Sequence, residues 1–342
     1  MIRGFTSAIL AMVLVLILLV SSSCCCSYFE ALDKKPNDYD AIKSELSNTS
    51  DYQVTEGEEK NFRSLLEEIY TGEELDRTVS AMSDLKSLYP KGYYIVVKVA
   101  PKFVNSGAGG EEFRVLAGDF SVDYLNILVH ELTHLGILVF GADAIGDVYD
   151  YVYLIGRYGV LIDRDRNFFP KTEVFADISE PDDFDKLYLE PVEKNEGADL
   201  MNILDEINAY TKSQECEIAL EELGGTWDYG SRHNLLKQKW HLELYLKRAY
   251  EKHPEDWEYI VNNEGLSFFI MKLWQDASRV EMLDREGDKS LGFNFEQMAD
   301  VVYGTDNYSV MEKLFQDSGV AEYEEMSYDD VSFKNLTVIQ VP

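Results

Sequence analysis

Cysteine is nearly missing from the body of this chain. Of four cysteines in 342 residues, three form the run Cys24-Cys25-Cys26 and only Cys216 lies beyond it. No disulfide framework can be built within the body, and Cys216 reads as a small apolar residue, partly buried. Positive charge is scarce as well. Lys and Arg total 31 against 63 Asp and Glu, a formal net charge of −32. That balance argues against nucleic acid or bare anionic lipid as a partner. No internal repeat is present. Apolar and aromatic residues are not lacking: 46% of the chain is hydrophobic and 13% aromatic, so the chain can bury a substantial core and is not of disordered composition.

Long hydrophobic runs are absent except at the start. Arg3 precedes an uninterrupted apolar segment, Ala8 to Val20, followed by Ser21-Ser22-Ser23 and the three cysteines. The run falls short of the roughly 20 residues a transmembrane helix needs. A short positive start, an apolar stretch and small residues are the marks of an export signal. The segment resembles a bacterial lipoprotein signal with Cys24 as the lipidated residue, although Ser21 stands where leucine is usual. An uncleaved N-terminal anchor is the alternative. Either way the expected location is exported and membrane-anchored, at the cell envelope or surface. Residues 1–26 are thus expected to be signal or anchor, 27–57 a polar tether without sustained periodicity, and 58–342 the folded domain.

Within that domain, Phe62, Leu65, Leu66 and Ile69 recur at helical spacing, and Pro90-Lys91-Gly92 ends the pattern. The run YYIVVKV at 93–99, rich in β-branched and aromatic residues, predicts a strand. Alternating Phe113, Val115 and Ala117 predict a second. A helix follows, with Ser121 as N-cap, Asp123 in the first turn and Gly141 as its stop. Further helices are expected at about 198–223, 231–251, 256–262, 264–282 and 294–302. The reading is an α+β fold, mainly helical, with a small sheet preceding the helix of residues 121–140.

That helix carries His130-Glu131-Leu132-Thr133-His134. Positions i and i+4 share a helix face, so both imidazoles can address one ion. Glu131 lies about 100° away around the helix, free of ligation and able to act as a general base. The five residues match the HExxH signature of the zincin metallopeptidases, and the chain resembles that family at this motif. The resemblance implies a zincin-like domain, a Zn2+ cofactor, a peptide or protein substrate, and peptide-bond hydrolysis with Glu131 as base. The metzincin continuation is missing, since no histidine closely follows His134. This leaves the gluzincin arrangement, in which a glutamate from a later element is the third ligand.

Two glutamates are candidates. Glu206 lies mid-helix at the border of an apolar face, beside Ala209, which allows close helix approach. Glu173, with Asp177 four residues on, resembles the thermolysin-type pair in which the aspartate orients a ligand histidine, and KTEVFADI is similar to a stretch of lethal-factor-like peptidases. Tyr210, one turn beyond Glu206, is a candidate donor to the oxyanion of the transition state. His233 is another. Two other readings stay open: a degenerate zincin fold serving as a binding or scaffolding lipoprotein, and a helical surface protein in which HELTH is coincidental.

Overall fold

The structure is a computed structural model that describes residues 39–48, 52–105, 109–118, 122–145, 152–155, 158–162, 167–224, 231–281, 301–304 and 308–340. The segment expected to be signal or anchor, Ser121 and most of the helix expected at 294–302 lie outside the described residues. Among the described residues no helix is long and apolar enough to cross a membrane.

The chain is mainly helical, with a small antiparallel sheet. Helix α1 (Tyr39–Leu46) falls inside the stretch expected to be featureless tether, yet its Ile42 and Leu46 are buried in the core. Helix α2 (Glu56–Ile69) opens with a reciprocal cap between Thr55 and Glu58 and buries Phe62, Leu65 and Leu66. Helix α3 (Gly72–Leu88) leads through Tyr89 into α4 (Pro90–Phe103). Here the sequence expectation fails. The run at 93–99 is helical, with Pro90 at the first helical position, where its missing N–H costs nothing. Tyr94, Ile95, Val96, Val97, Val99 and Ala100 are all buried. Only Tyr93 and Lys98 of the run are half-buried, and so mostly apolar a run cannot by pattern alone be told from a buried strand. The second expected strand is helix α5 (Gly109–Ala117). Phe113 and Ala117, four apart, are buried while Val115 between them is 81% exposed, which is helical and not alternating.

Helix α6 (Val122–Ile145) carries HELTH and runs through Gly141 without stopping. An interior glycine weakens a helix by about 1 kcal/mol relative to alanine, which a well-packed helix tolerates. The sheet follows α6 instead of preceding it. Strands β1 (Val152–Ile155) and β2 (Tyr158–Ile162) form a hairpin, and β3 (Leu336–Gln340) from the far end of the chain adds to β2 in antiparallel register. Tyr153 of β1 is buried, with its hydroxyl donating to the Met201 carbonyl at 3.3 Å.

A seven-residue 3-10 segment, Lys171–Asp177, and helix α7 (Asp183–Leu189) lead to α8 (Leu200–Leu220). Asp199 caps α8 in a reciprocal box with Asn202. Helices α9 (Ser231–Lys252), α10 (Pro254–Asn262), α11 (Glu264–Glu281) and α12 (Tyr308–Asp317) follow. Helix α8 is the axis of the fold and packs against α6, α9 and α11. From Thr211 to Leu220 every residue of it is buried, charged ones included.

Those charges are paired. Glu215 accepts from Tyr89 Oη at 2.6 Å, from Lys91 Nζ at 2.8 Å and from Arg279 Nη2 at 2.9 Å. Lys212 Nζ reaches Asp276 at 3.1 Å, and Arg279 bridges Asp276 and Glu45. The network ties α1, α4, α8 and α11 together. Burial would raise the pKa of Glu215 and Asp276, but Lys212 and Lys91 for the first, and Lys212 and Arg279 for the second, hold both below the ordinary range. Carboxylates with lowered folded pKa contribute stability that is complete above their unfolded value, about 4, and lost as pH falls further. Thermal melts by circular dichroism should show the contribution of this pair disappearing below about pH 4. Asp276→Asn should melt lower at neutral pH and lose less on acidification. An acid slope identical to wild type would remove Asp276 from this role.

Candidate metal centre

His130 and His134 sit on the face of α6 that meets α8. On the core side of the same helix Leu128, Val129 and Leu132 are fully buried. The approach of α4 to this region depends on Gly92. A β-carbon there would stand 2.4 Å from the Tyr89 ring and 3.2 Å from Val129. Asn126 Nδ2 donates to Glu217 at 2.8 Å and adds a polar link between α6 and α8.

Three donor atoms converge where the two helices meet. His130 Nε2 and His134 Nε2 are 3.1 Å apart. Glu206 Oε2 lies 3.5 Å from His134 Nε2 and 3.9 Å from His130 Nε2. The ligand-type atoms of these three residues all fall within 4.8 Å of one another. Bonds of about 2.1 Å at tetrahedral angles place donor atoms roughly 3.4 Å apart, so the spacing suits an ion at the centre. Among the described residues this is the one such group of three or more.

The far side of each imidazole is held. His134 Nδ1 donates to Asp205 Oδ2 at 2.9 Å, and His130 hydrogen-bonds the backbone of Ala209. Both contacts leave Nε2 facing inward, where an ion would displace any proton it carries. Glu206 Oε2 is buried without a hydrogen-bond partner, and so is Asp205 Oδ1. A buried carboxylate oxygen without a partner is costly, and a cation between Glu206 and the imidazoles relieves it. His130, His134 and Glu206 therefore fit a metal ion.

The electrostatics are those of a crowded site. Burial, then the neighbouring His134, pushes the His130 pKa down to about 3. Burial would also lower that of His134, but the charge and hydrogen bond of Asp205, with Glu206, raise it well above the usual value. Glu206 is held low against its burial by His134, whose Nε2 lies 3.5 Å away. Glu131 is exposed at the surface of α6 and stands outside the donor group. Its pKa is raised by desolvation, with Glu206 adding to the rise and His134 opposing it.

Tyr210 packs its ring on His130, centroids 4.3 Å apart, and its hydroxyl lies 2.7 Å from that of Tyr188. Two hydroxyls sharing one hydrogen bond leave one proton for a further acceptor.

Glu173 is not brought to the histidines. It is tied to Arg248 at 3.1 Å and His253 at 3.0 Å, while Asp177 binds Arg248 at 2.7 Å and Lys252 at 2.9 Å. The segment is a 3-10 turn whose acidic side chains neutralise the end of α9. The orienting aspartate expected at 177 is instead Asp205, which sequence reasoning missed. The available signal was an aspartate next to the candidate ligand in a helix interior, where aspartate is disfavoured. His241 is used elsewhere, bound to Asp185 at 2.8 Å.

No protein-family model, curated protein or solved structure matches this chain.

Proposed function

We propose that this chain is a zinc-dependent peptidase of the gluzincin type, exported and membrane-tethered through its N-terminal segment, with a peptide or protein as substrate. The observation that carries the reading is the convergence of His130 Nε2, His134 Nε2 and Glu206 Oε2, with Asp205 and the Ala209 backbone behind the two imidazoles. A His₂Glu set is a catalytic zinc arrangement and leaves a coordination position open. Zinc held there supplies Lewis-acid polarisation of a carbonyl and of water. Glu131, unligated and one residue from His130, takes the proton of the attacking water and passes it to the leaving amine. Tyr210 supplies a hydrogen bond to the developing oxyanion. Packing alone places no demand for a carboxylate at 131, and this favours catalysis over a degenerate binding protein.

The test is metal content by elemental analysis after zinc reconstitution. Wild type and Glu173→Ala should each carry stoichiometric zinc. Asp205→Ala should lose affinity by roughly 10–100-fold, the usual cost of removing a partner behind a ligand. Glu206→Ala and His130→Ala should lose more than that. Wild-type protein that retains no zinc, or a Glu206→Ala variant that retains it fully, sinks the site.

A further inference from the structure

We propose that Lys171, over the Tyr188 ring, forms a subsite for a carboxylate of the substrate, next to the metal centre. The inference rests on the peptidase reading for the identity of the substrate.

Lys171 opens the 3-10 segment Lys171–Asp177, and its backbone N–H donates to the Ala198 carbonyl at 2.8 Å, just ahead of the α8 cap. The residue is buried, with 6% exposed. A buried ammonium is costly unless it is paired. Other buried lysines among the described residues have partners: Lys91 has Glu215, Lys212 has Asp276, Lys237 has Asp185, and Lys239 donates to the hydroxyls of Ser278 and Tyr303. Lys171 forms no ion pair or side-chain hydrogen bond among the described residues. Its ammonium lies 5.8 Å from the centroid of the Tyr188 ring, a weak cation–π contact that does not replace an anion.

The nearest acids are committed. The charges of Glu206, Asp205 and Asp199 bear on Lys171. Glu206 turns to the histidines, Asp205 holds His134, and Asp199 caps α8. The chain of contacts Lys171, Tyr188, Tyr210, His130 connects the ammonium to the centre through aromatic rings. A ligand carboxylate reaching this point would meet one desolvated cation. Charge-assisted hydrogen bonds of this kind are the strong ones. The carboxylate is either the free C-terminus of a peptide or an acidic side chain within it.

The experiment uses one short peptide in three forms: free acid, C-terminal amide, and amide with an internal glutamate. Wild type should favour one carboxylate-bearing form over the plain amide by about 10–100-fold in kcat/KM, mostly through KM, as expected for a hydrogen bond to a charged group. The form that is favoured identifies the source. Lys171→Met should bring the preference close to one, with amide hydrolysis and zinc content unchanged, and Lys171→Arg should restore part of it. Equal kcat/KM for all forms in wild type overturns the subsite. So does a preference that survives in Lys171→Met, or a variant altered only in zinc affinity, which would make Lys171 a neutraliser of Asp205 and Glu206. Binding of an N-acylated amino acid and its amide by calorimetry provides a readout without turnover. If zinc content fails but Lys171-dependent carboxylate binding persists, the peptidase reading falls and the subsite stands. The reverse result separates them the other way.

Discussion

Glu131→Gln should keep its zinc and lose peptide hydrolysis by about 10²–10⁴-fold, the contribution typical of a positioned general base. The substitution preserves size and helix propensity and removes only the ability to accept a proton. Glu131 stands outside the donor group and is exposed, so neither metal content nor folding has reason to change. Desolvation raises its pKa, which makes the carboxylate a better proton acceptor than a free one. The check pairs turnover of a quenched peptide with zinc stoichiometry on the same preparation. Wild-type turnover in the variant would mean that the proton goes elsewhere, and Glu131 would lose its role. Loss of zinc alongside activity would instead make it a structural part of the centre.

The second large effect lies in the core. Glu215→Ala should cost about 3–5 kcal/mol of unfolding free energy in a urea titration, the range seen when one partner of a buried ion pair is deleted. Glu215 is fully buried and receives Tyr89, Lys91 and Arg279. Without it Lys91 loses its carboxylate partner, and Lys212 and Arg279 are left with the part-buried Asp276, Arg279 also keeping Glu45. A change below about 1 kcal/mol, the scale of an exposed pair, would show that water reaches the network.

The HELTH pair was readable because i and i+4 on a helix fix a shared face whatever the rest of the chain does. Glu206 was readable from its place at the edge of an apolar stripe on a long capped helix. Glu173 was the weaker candidate because its short segment lies between Pro170 and Pro181, and that segment is a 3-10 turn away from the histidines. The strand expected at 93–99 failed for want of information: a run with only Tyr93 and Lys98 half-buried leaves little periodicity to read. Alternation at Phe113, Val115 and Ala117 was accidental, as the exposure of Val115 shows. The buried charges of α8 were not legible at all. Lys212 and Glu215 in sequence look like solvated helix residues, and only the partners on α4 and α11 reveal otherwise.

Helix α8 carries its instructions in consecutive residues. Counting from the cap at Asp199, Asp205 supports one histidine and Glu206 completes the donor set, and each additional residue turns the helix by about 100°. A single-residue insertion between Asp199 and Asp205 would swing the support and the ligand away together. The same insertion after Tyr210 would leave both in place and put Lys212 and Glu215 out of step with their partners. The centre and the ion network thus share one reading frame: an insertion before Asp205 puts both out of register, and one after Tyr210 only the network.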